Sequence, residues 1–447
     1  MKPILALAAD LAEGRTTSRK LVEGALERID DKQGEGSRAF IKVWQERARA
    51  EADLWDNVRK LSSIALPLAG IPISVKDLFD VAGEPTTAGS IALKDAPPAT
   101  TDAPIVRRLR AAGAVLVGRT NMTEFAYSGI GLNPHYGTPR NPYDRKRGRI
   151  PGGSSSGAAI SVTDEMCAGA IGSDTGGSVR IPAALCGLAG YKPTAERITL
   201  EGAFPLSFSQ DSIGPLAKTL SCCAVLDAVM ADEPAKVPDP RLVAGLRLGV
   251  VKTLVLDGLD TAVAAAWAKA LSRLTAAGAH LVEVAMPDLV DIPKINATGG
   301  FSAPEAYSHH RETIATKAHL FDPLVLSRIK RGAEMPAADY IDIMRIRKEM
   351  IGRARTITKA YDAVIMPTCA ITAPALDEVA TPETFMQKNA IVLRNTSLFN
   401  FLDRCALTVP IHAPGEAPVG LMLVGEHGHD RRLISVGLGI EAVVTQR

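Results

Sequence analysis

Two glycine-rich stretches hold hydroxyl groups in the setting that acyl transfer requires. "PGGSSSGAA" (Pro151 to Ala159) sets Ser154, Ser155 and Ser156 between Gly153 and Gly157, and "GSDTGGSVRIP" (Gly172 to Pro182) sets Ser178 directly after Gly176 and Gly177. Paired glycines let successive backbone N–H groups converge on one point, a nest able to hold an anion. An acyl-transfer enzyme needs such donors beside its nucleophile, for the oxyanion of the tetrahedral intermediate. Both stretches lie between Arg149 and Pro182, where there is no histidine to take the proton of a serine. Upstream, "AGIPISVKDLFDV" carries Lys76 among Ile73, Val75 and Leu78. An ordinary lysine, with a pKa of about 10.4, is protonated at neutral pH and cannot be a base. Burial disfavours the ammonium, and the neutral amine is then a good acceptor. The competing reading of Lys76 is a side chain that snorkels from a strand edge or pairs with Asp77.

A second arrangement fits the same residues. Gly153 to Gly157 satisfies the G-x-S-x-G pattern of a nucleophile elbow around Ser155, with His412, His427 or His429 as base. An elbow must follow a strand, whereas the polar, proline-punctuated "DRKRGRIPGG" comes first. A flexible Gly/Ser linker is the third reading, and the small apolar residues that follow argue against it.

The elements that would position these groups alternate. Residues 1 to about 60 have helical periodicity, as in "SRKLVEGALERID" and "ERARAEADLWDNVRKL", and form a helical lead-in. Alternation in "GIPISVK" predicts a strand with Ile73 and Val75 on one side and Ser74 and Lys76 on the other. "TTDAPIVRRLRAAGAVLVGRT" gives a cap, a proline in the first turn, a helix, Gly113 as its stop and a strand. The same order recurs in "DTAVAAAWAKALSRLTAAGAHLVEVAM" after the strand "LRLGVV", and further strands are expected at "DAVIMPT", "CALTVPIHA" and "VGLMLVG". Helix, glycine, strand units of this kind specify an α/β sheet. "ADEPAKVPDPR" (Ala231 to Arg241) reads as a surface connection between two halves.

With these residues quoted, the chain resembles the amidase signature family. "GIPISVKD" around Lys76, "PGGSSSGAA" around Ser154 and "GSDTGGSVRIPAALCGLAGYKPT" around Ser178 stand in the family's order, supported by "GRTNMTEFAYSG", "YGTPRNPYD", "SFSQDSIGPLAKT" and "APVGLMLVG". The resemblance implies one α/β domain with a mixed, many-stranded sheet covered by helices on both faces. It places the lead-in at residues 1–60 and the domain at 61–447, with a catalytic core at 65–220 and a C-terminal half at 243–447 completing the sheet. It implies a Ser-Ser-Lys triad: Ser178 as acyl-enzyme nucleophile, Ser154 as bridging serine at a cis peptide, Lys76 as base. It implies an oxyanion hole of backbone N–H groups from Thr175, Gly176, Gly177 and Ser178, with Asp174 and Arg180 buttressing the loop. Tyr127, Ile130 and Phe204 match positions lining the acyl pocket in relatives. "NFLDRCALTVP" (Asn400 to Pro410), near that pocket in relatives, departs from the family's Gly-Leu-Pro turn and introduces Arg404, read as an ion-paired arginine or as a carboxylate reader.

The activity implied is hydrolysis of a small-molecule carboxamide or related C–N bond to an acid and ammonia or an amine, with no metal and no organic cofactor. The alternative is the A-type component of a tRNA-dependent amidotransferase, a glutaminase supplying ammonia to a partner; a non-catalytic binding protein is disfavoured by intact Lys76, Ser154 and Ser178. A formal net charge of +2 gives no electrostatic case for nucleic acid or a membrane surface. The basic run "RNPYDRKRGR" reads as a solvated loop. Six cysteines without a C-x-x-C pair, and no secretory signal, indicate reduced core thiols in a cytoplasmic protein. The partner expected is the small amide, with homodimerisation left open.

Overall fold

The structure, a computed structural model, describes residues 1–61 and 66–445; the expected start of the catalytic core at residue 65 lies outside the described residues. Eleven strands form one sheet: β1 (Phe40–Val43), β2 (Pro72–Lys76), β3 (Val115–Thr120), β4 (Gly169–Ser173), β5 (Ala189–Lys192), β6 (Ile213–Ala217), β7 (Arg247–Val251), β8 (His280–Val284), β9 (Ala363–Pro367), β10 (Ala406–Pro410) and β11 (Gly420–Val424). Their order is β1-β3-β2-β4-β6-β5-β10-β11-β9-β7-β8. β2 runs parallel to β3 and β4, β7 runs parallel to β8 and β9, and the centre of the sheet is antiparallel. The two parallel groups are what helix, glycine, strand units produce, because parallel neighbours need a crossover.

β2, β3, β4, β6, β9 and β11 are buried at every position, so both faces of the sheet are covered. On one face Ile73, Val75, Leu116 and Ile171 pack with Ile105 and Leu109 of the helix Pro104–Ala111. On the other, Val115, Val117 and Ala170 pack with Ala158, Ile160 and Val162 of the helix Ser156–Thr163 and with Val22 and Leu26. The helices begin where their caps dictate. Asp260 accepts from Val263 N at the start of Thr261–Ala276, Thr219 accepts from Cys222 N at Leu220–Met230, and Pro104 opens its helix with no N–H to satisfy.

The lead-in is helical at Ile4–Ala12, Ser18–Asp30 and Gln45–Leu61, but it also supplies β1, antiparallel to β3. "FIKV" is too short for periodicity to separate it from the helices on either side. All six cysteines are free and buried, and no described helix is long and apolar enough to cross a membrane.

Candidate active site

Lys76 and Ser173 are the last residues of two adjacent parallel strands, β2 and β4. Ser74, one pleat before Lys76, bonds Ser161 of the helix Ser156–Thr163 (Oγ to Oγ, 2.9 Å), so Lys76 faces the N-terminal end of that helix, where the serine run lies. Its Nζ donates to Ser154 Oγ at 2.7 Å and to Ser173 Oγ at 2.9 Å. The Gly153–Ser154 peptide is cis, and the Ser154 carbonyl accepts from Thr123 N at 3.1 Å. The run can lie this close to β4 because position 172 is glycine: a Cβ there would stand 2.5 Å from Ser155 Oγ.

Lys76 is fully buried, and that burial lowers its pKa to about 7, against the charges of Asp211 and Asp174, which raise it. Ser173 and Asp211 are the partners that sequence reasoning missed. Ser173 looks like an ordinary strand terminus, and Asp211 sits in "SFSQDSIG" with nothing in its type to tie it to Lys76. Asp211 accepts from Thr175 Oγ1 at 2.5 Å and from the N–H groups of Leu206 and Ser207 at 3.0 Å; burial nevertheless raises it to about 6.

Ser178 lies between β4 and the helix Arg180–Cys186. The loop before it is held from behind. Arg180 donates to both carboxylate oxygens of Asp174, at 3.0 and 2.9 Å, and Asn400 donates to Asp174 Oδ1 at 2.9 Å. Burial of Asp174 would raise its pKa, but the Arg180 charge and hydrogen bonds, with Lys192 and Asn400, hold it well below the usual carboxylate range. Thr396 Oγ1 donates to the Gly176 carbonyl at 2.6 Å, while Gly177 has φ of 133° and no room for a Cβ. The N–H groups of Thr175, Gly176, Gly177 and Ser178 donate to no acceptor among the described residues, and Thr175, Gly176 and Ser178 border the cavity in front of the loop.

Ser178, Thr175 and Gly176 open onto a cavity of about 220 Å³ whose wall includes Tyr127, Leu206, Gln210 and Arg328. Phe204 lines an adjoining cavity of about 230 Å³ that shares Ala126, Thr175 and Leu206 with the first. Ile130 lies in neither wall; it is buried against an apolar cluster with Ile181, Leu185 and Val392. Its place in the sequence next to Tyr127 does not carry its side chain to the cavity.

The histidine arrangement around Ser155 is absent. Ser155 Oγ donates to the Ser173 carbonyl at 3.4 Å, His427 faces Asp403 at 3.0 Å, and His412 Nδ1 accepts from Val419 N at 3.5 Å. His427 and His429 border a different cavity together with Arg404, which is paired with Glu426. Arg404 is therefore the ion-paired residue of the two readings, and it does not line the Ser178 cavity. Of the segment Asn400 to Pro410, only Asn400 reaches the site, through Asp174.

The family model described as Amidase matches residues 20–434, and the chain belongs to this family, the amidase signature enzymes. It is 36% identical over 411 residues to 2-amino-5-chloromuconic acid deaminase of Comamonas testosteroni, covering 91% of this chain and 88% of that one. It is 38% identical over 382 residues to AtzE, the 1-carboxybiuret hydrolase subunit of Pseudomonas sp. strain ADP (82% and 81% covered). It is 33% identical over 473 residues to the GatA-type component of glutamyl-tRNA(Gln) amidotransferase from Chromohalobacter salexigens (97% and 95% covered). A solved amidase crystal structure superposes with a TM-score of 0.88 at 33% identity, over 99% of this chain and 100% of that one. The protein is a hydrolase of amide-type carbon–nitrogen bonds.

Proposed function

We propose that the protein hydrolyses a small-molecule carboxamide through an acyl-enzyme on Ser178. Neutral Lys76 accepts the Ser154 proton as Ser154 accepts that of Ser178. The Ser178 oxygen attacks the amide carbon, and the carbonyl oxygen takes the negative charge against the N–H groups of Thr175 to Ser178. The proton returns by the same relay to the nitrogen, which leaves as ammonia or an amine. Water, deprotonated through Ser154, then cleaves the ester to the acid and restores the Ser178 hydroxyl. Tyr127 contributes to the substrate wall, and Phe204 to its apolar extension.

One observation carries the reading: a lysine fully buried and bonded to two serine hydroxyls, with no carboxylate among the described residues hydrogen-bonded to its nitrogen. A lysine kept for charge alone gains nothing from that setting. The identities to the deaminase and to the carboxybiuret hydrolase support a small-molecule amide; the amidotransferase component remains the second reading because the coverage there is nearly complete. Reduced, buried cysteines support a cytoplasmic setting.

Ammonia release over a panel of primary amides, with fluorophosphonate labelling, tests the reading. Ser178→Ala is expected to abolish both, and Lys76→Ala and Ser154→Ala to lower turnover by at least about 10³-fold, the scale for loss of a catalytic base or relay. Full labelling of the Ser178→Ala protein would overturn the assignment.

A further inference from the structure

The buried guanidinium groups of Arg180, Arg119 and Arg404 meet carboxylates, whereas the half-buried Arg347 and Arg394 bond only carbonyl and amide oxygens. The Ser178 cavity carries arginines of the second kind. Its charged lining residues are Arg328 and Arg331, there is no aspartate or glutamate in its wall, and neither arginine has an ion-pair partner among the described residues. Two like charges sharing a half-enclosed space repel one another, and an anion between them relieves that repulsion.

The half-buried Arg328 is also held in place. It comes from the end of the helix Pro323–Lys330, stacks 4.2 Å over the Tyr127 ring and donates one N–H to the Tyr127 carbonyl. Its other N–H groups have no protein acceptor among the described residues. Arg331, exposed just beyond the same helix, is anchored through the Ala297 carbonyl.

We infer that Arg328 and Arg331 bind a carboxylate on the substrate, so that the amide hydrolysed at Ser178 is a small molecule with a free carboxylate on its far end, of the dicarboxylic monoamide class. A planar guanidinium fork with its N–H groups unpaired matches a carboxylate in two parallel hydrogen bonds. At about 220 Å³ the cavity has room for a short acyl chain between the two ends. This inference rests on Ser178 being the nucleophile.

The test compares kcat/KM for succinamate, glutaramate and maleamate with that for their methyl esters at the distal carboxyl, read by ammonia release. The acids are expected to exceed the esters by about 10- to 100-fold, the worth of a hydrogen bond to a charged group. Arg328→Gln should collapse that ratio towards one, and Arg331→Gln should lower it in part. Equal rates for acid and ester in the wild type, or an unchanged ratio in both variants, would overturn the inference while leaving the amidase reading intact. So would fluorophosphonate labelling without turnover of any of the acids. Absence of both labelling and ammonia release would instead remove the nucleophile itself. If Arg328→Gln fails to fold, the exposed Arg331→Gln decides the ratio.

Discussion

Lys76 has two hydroxyl acceptors and no ion-pair partner among the described residues, and its protonation state follows from that balance. Burial lowers the ammonium to about 7, Asp211 and Asp174 push it back up, and Asp211 itself ionises only above about 6. A base has to be neutral, so below about pH 7 each unit of pH removes close to a factor of ten in the competent form. We expect kcat/KM to rise through a limb near 7 and level off on the alkaline side; Lys76→Met should erase the limb with most of the rate. Ser173→Ala tests the missed residue in the same measurement. A hydroxyl acceptor favours the charged donor over the neutral one, so its loss should move the limb to lower pH while kcat falls about tenfold. A rate that declines as pH rises through about 7 in the wild type would exclude a neutral lysine as the working base.

At the scale of the element, the loop from Asp174 to Ser178 is shaped by what approaches it from the second half of the chain. Gly177 has φ of 133°, and a Cβ there would collide with Thr396 Oγ1, so backbone and space both demand glycine. Gly177→Ala is expected to cost roughly 1–3 kcal/mol in backbone strain and to reaim the N–H donors, lowering kcat/KM by at least about 100-fold. Kinetics together with a thermal melt check this; unaltered kinetics would mean the loop does not form the oxyanion site. The same scale shows what could be read beforehand. β2, β3 and β7 to β11 are rich in Val, Ile and Leu, and the alternation around Lys76 gave its facing correctly. β4, β5 and β6, "GAIGS", "AGYK" and "IGPLA", lack β-branched runs and carry glycines where neighbours come too close for a side chain, Gly172 against Ser155, Gly190 against Ala183 and Gly214 against the Tyr191 carbonyl. The serine run and the double glycine were legible as chemistry. Ser173, Asp211 and Arg328 were not, since each joins the site only when strands or helices distant in the chain meet.

Across the whole molecule the two halves share one sheet and one site. β5 of the first half pairs with β10 of the second, from Ala406 against Lys192 to Thr408 against Gly190. Buried polar bonds reinforce the seam: Thr194 donates its N–H and its hydroxyl to Asp430 at 2.8 and 2.6 Å, and Lys192 Nζ donates to the Arg404 carbonyl at 2.8 Å. Arg180, next to the Ser178 loop, donates to Asn400 Oδ1 at 2.5 Å. Separating the halves would leave the edges of β5 and β10 unpaired and break these buried polar bonds. The halves should therefore unfold together, although the chain is longer than the size at which two-state unfolding is the rule. Tryptophan reports on each side separately, because Trp44 and Trp55 lie in the first half and Trp267 in the helix Thr261–Ala276 of the second. Trp44 and Trp267 are both buried, so each should change its emission on unfolding. We expect a Trp55→Phe/Trp267→Phe protein, reporting from Trp44, and a Trp44→Phe/Trp55→Phe protein, reporting from Trp267, to give the same urea midpoint once each is referred to its own loss of activity. Two separated fluorescence transitions, with activity lost at the first, would show instead that one half melts while the other stays folded.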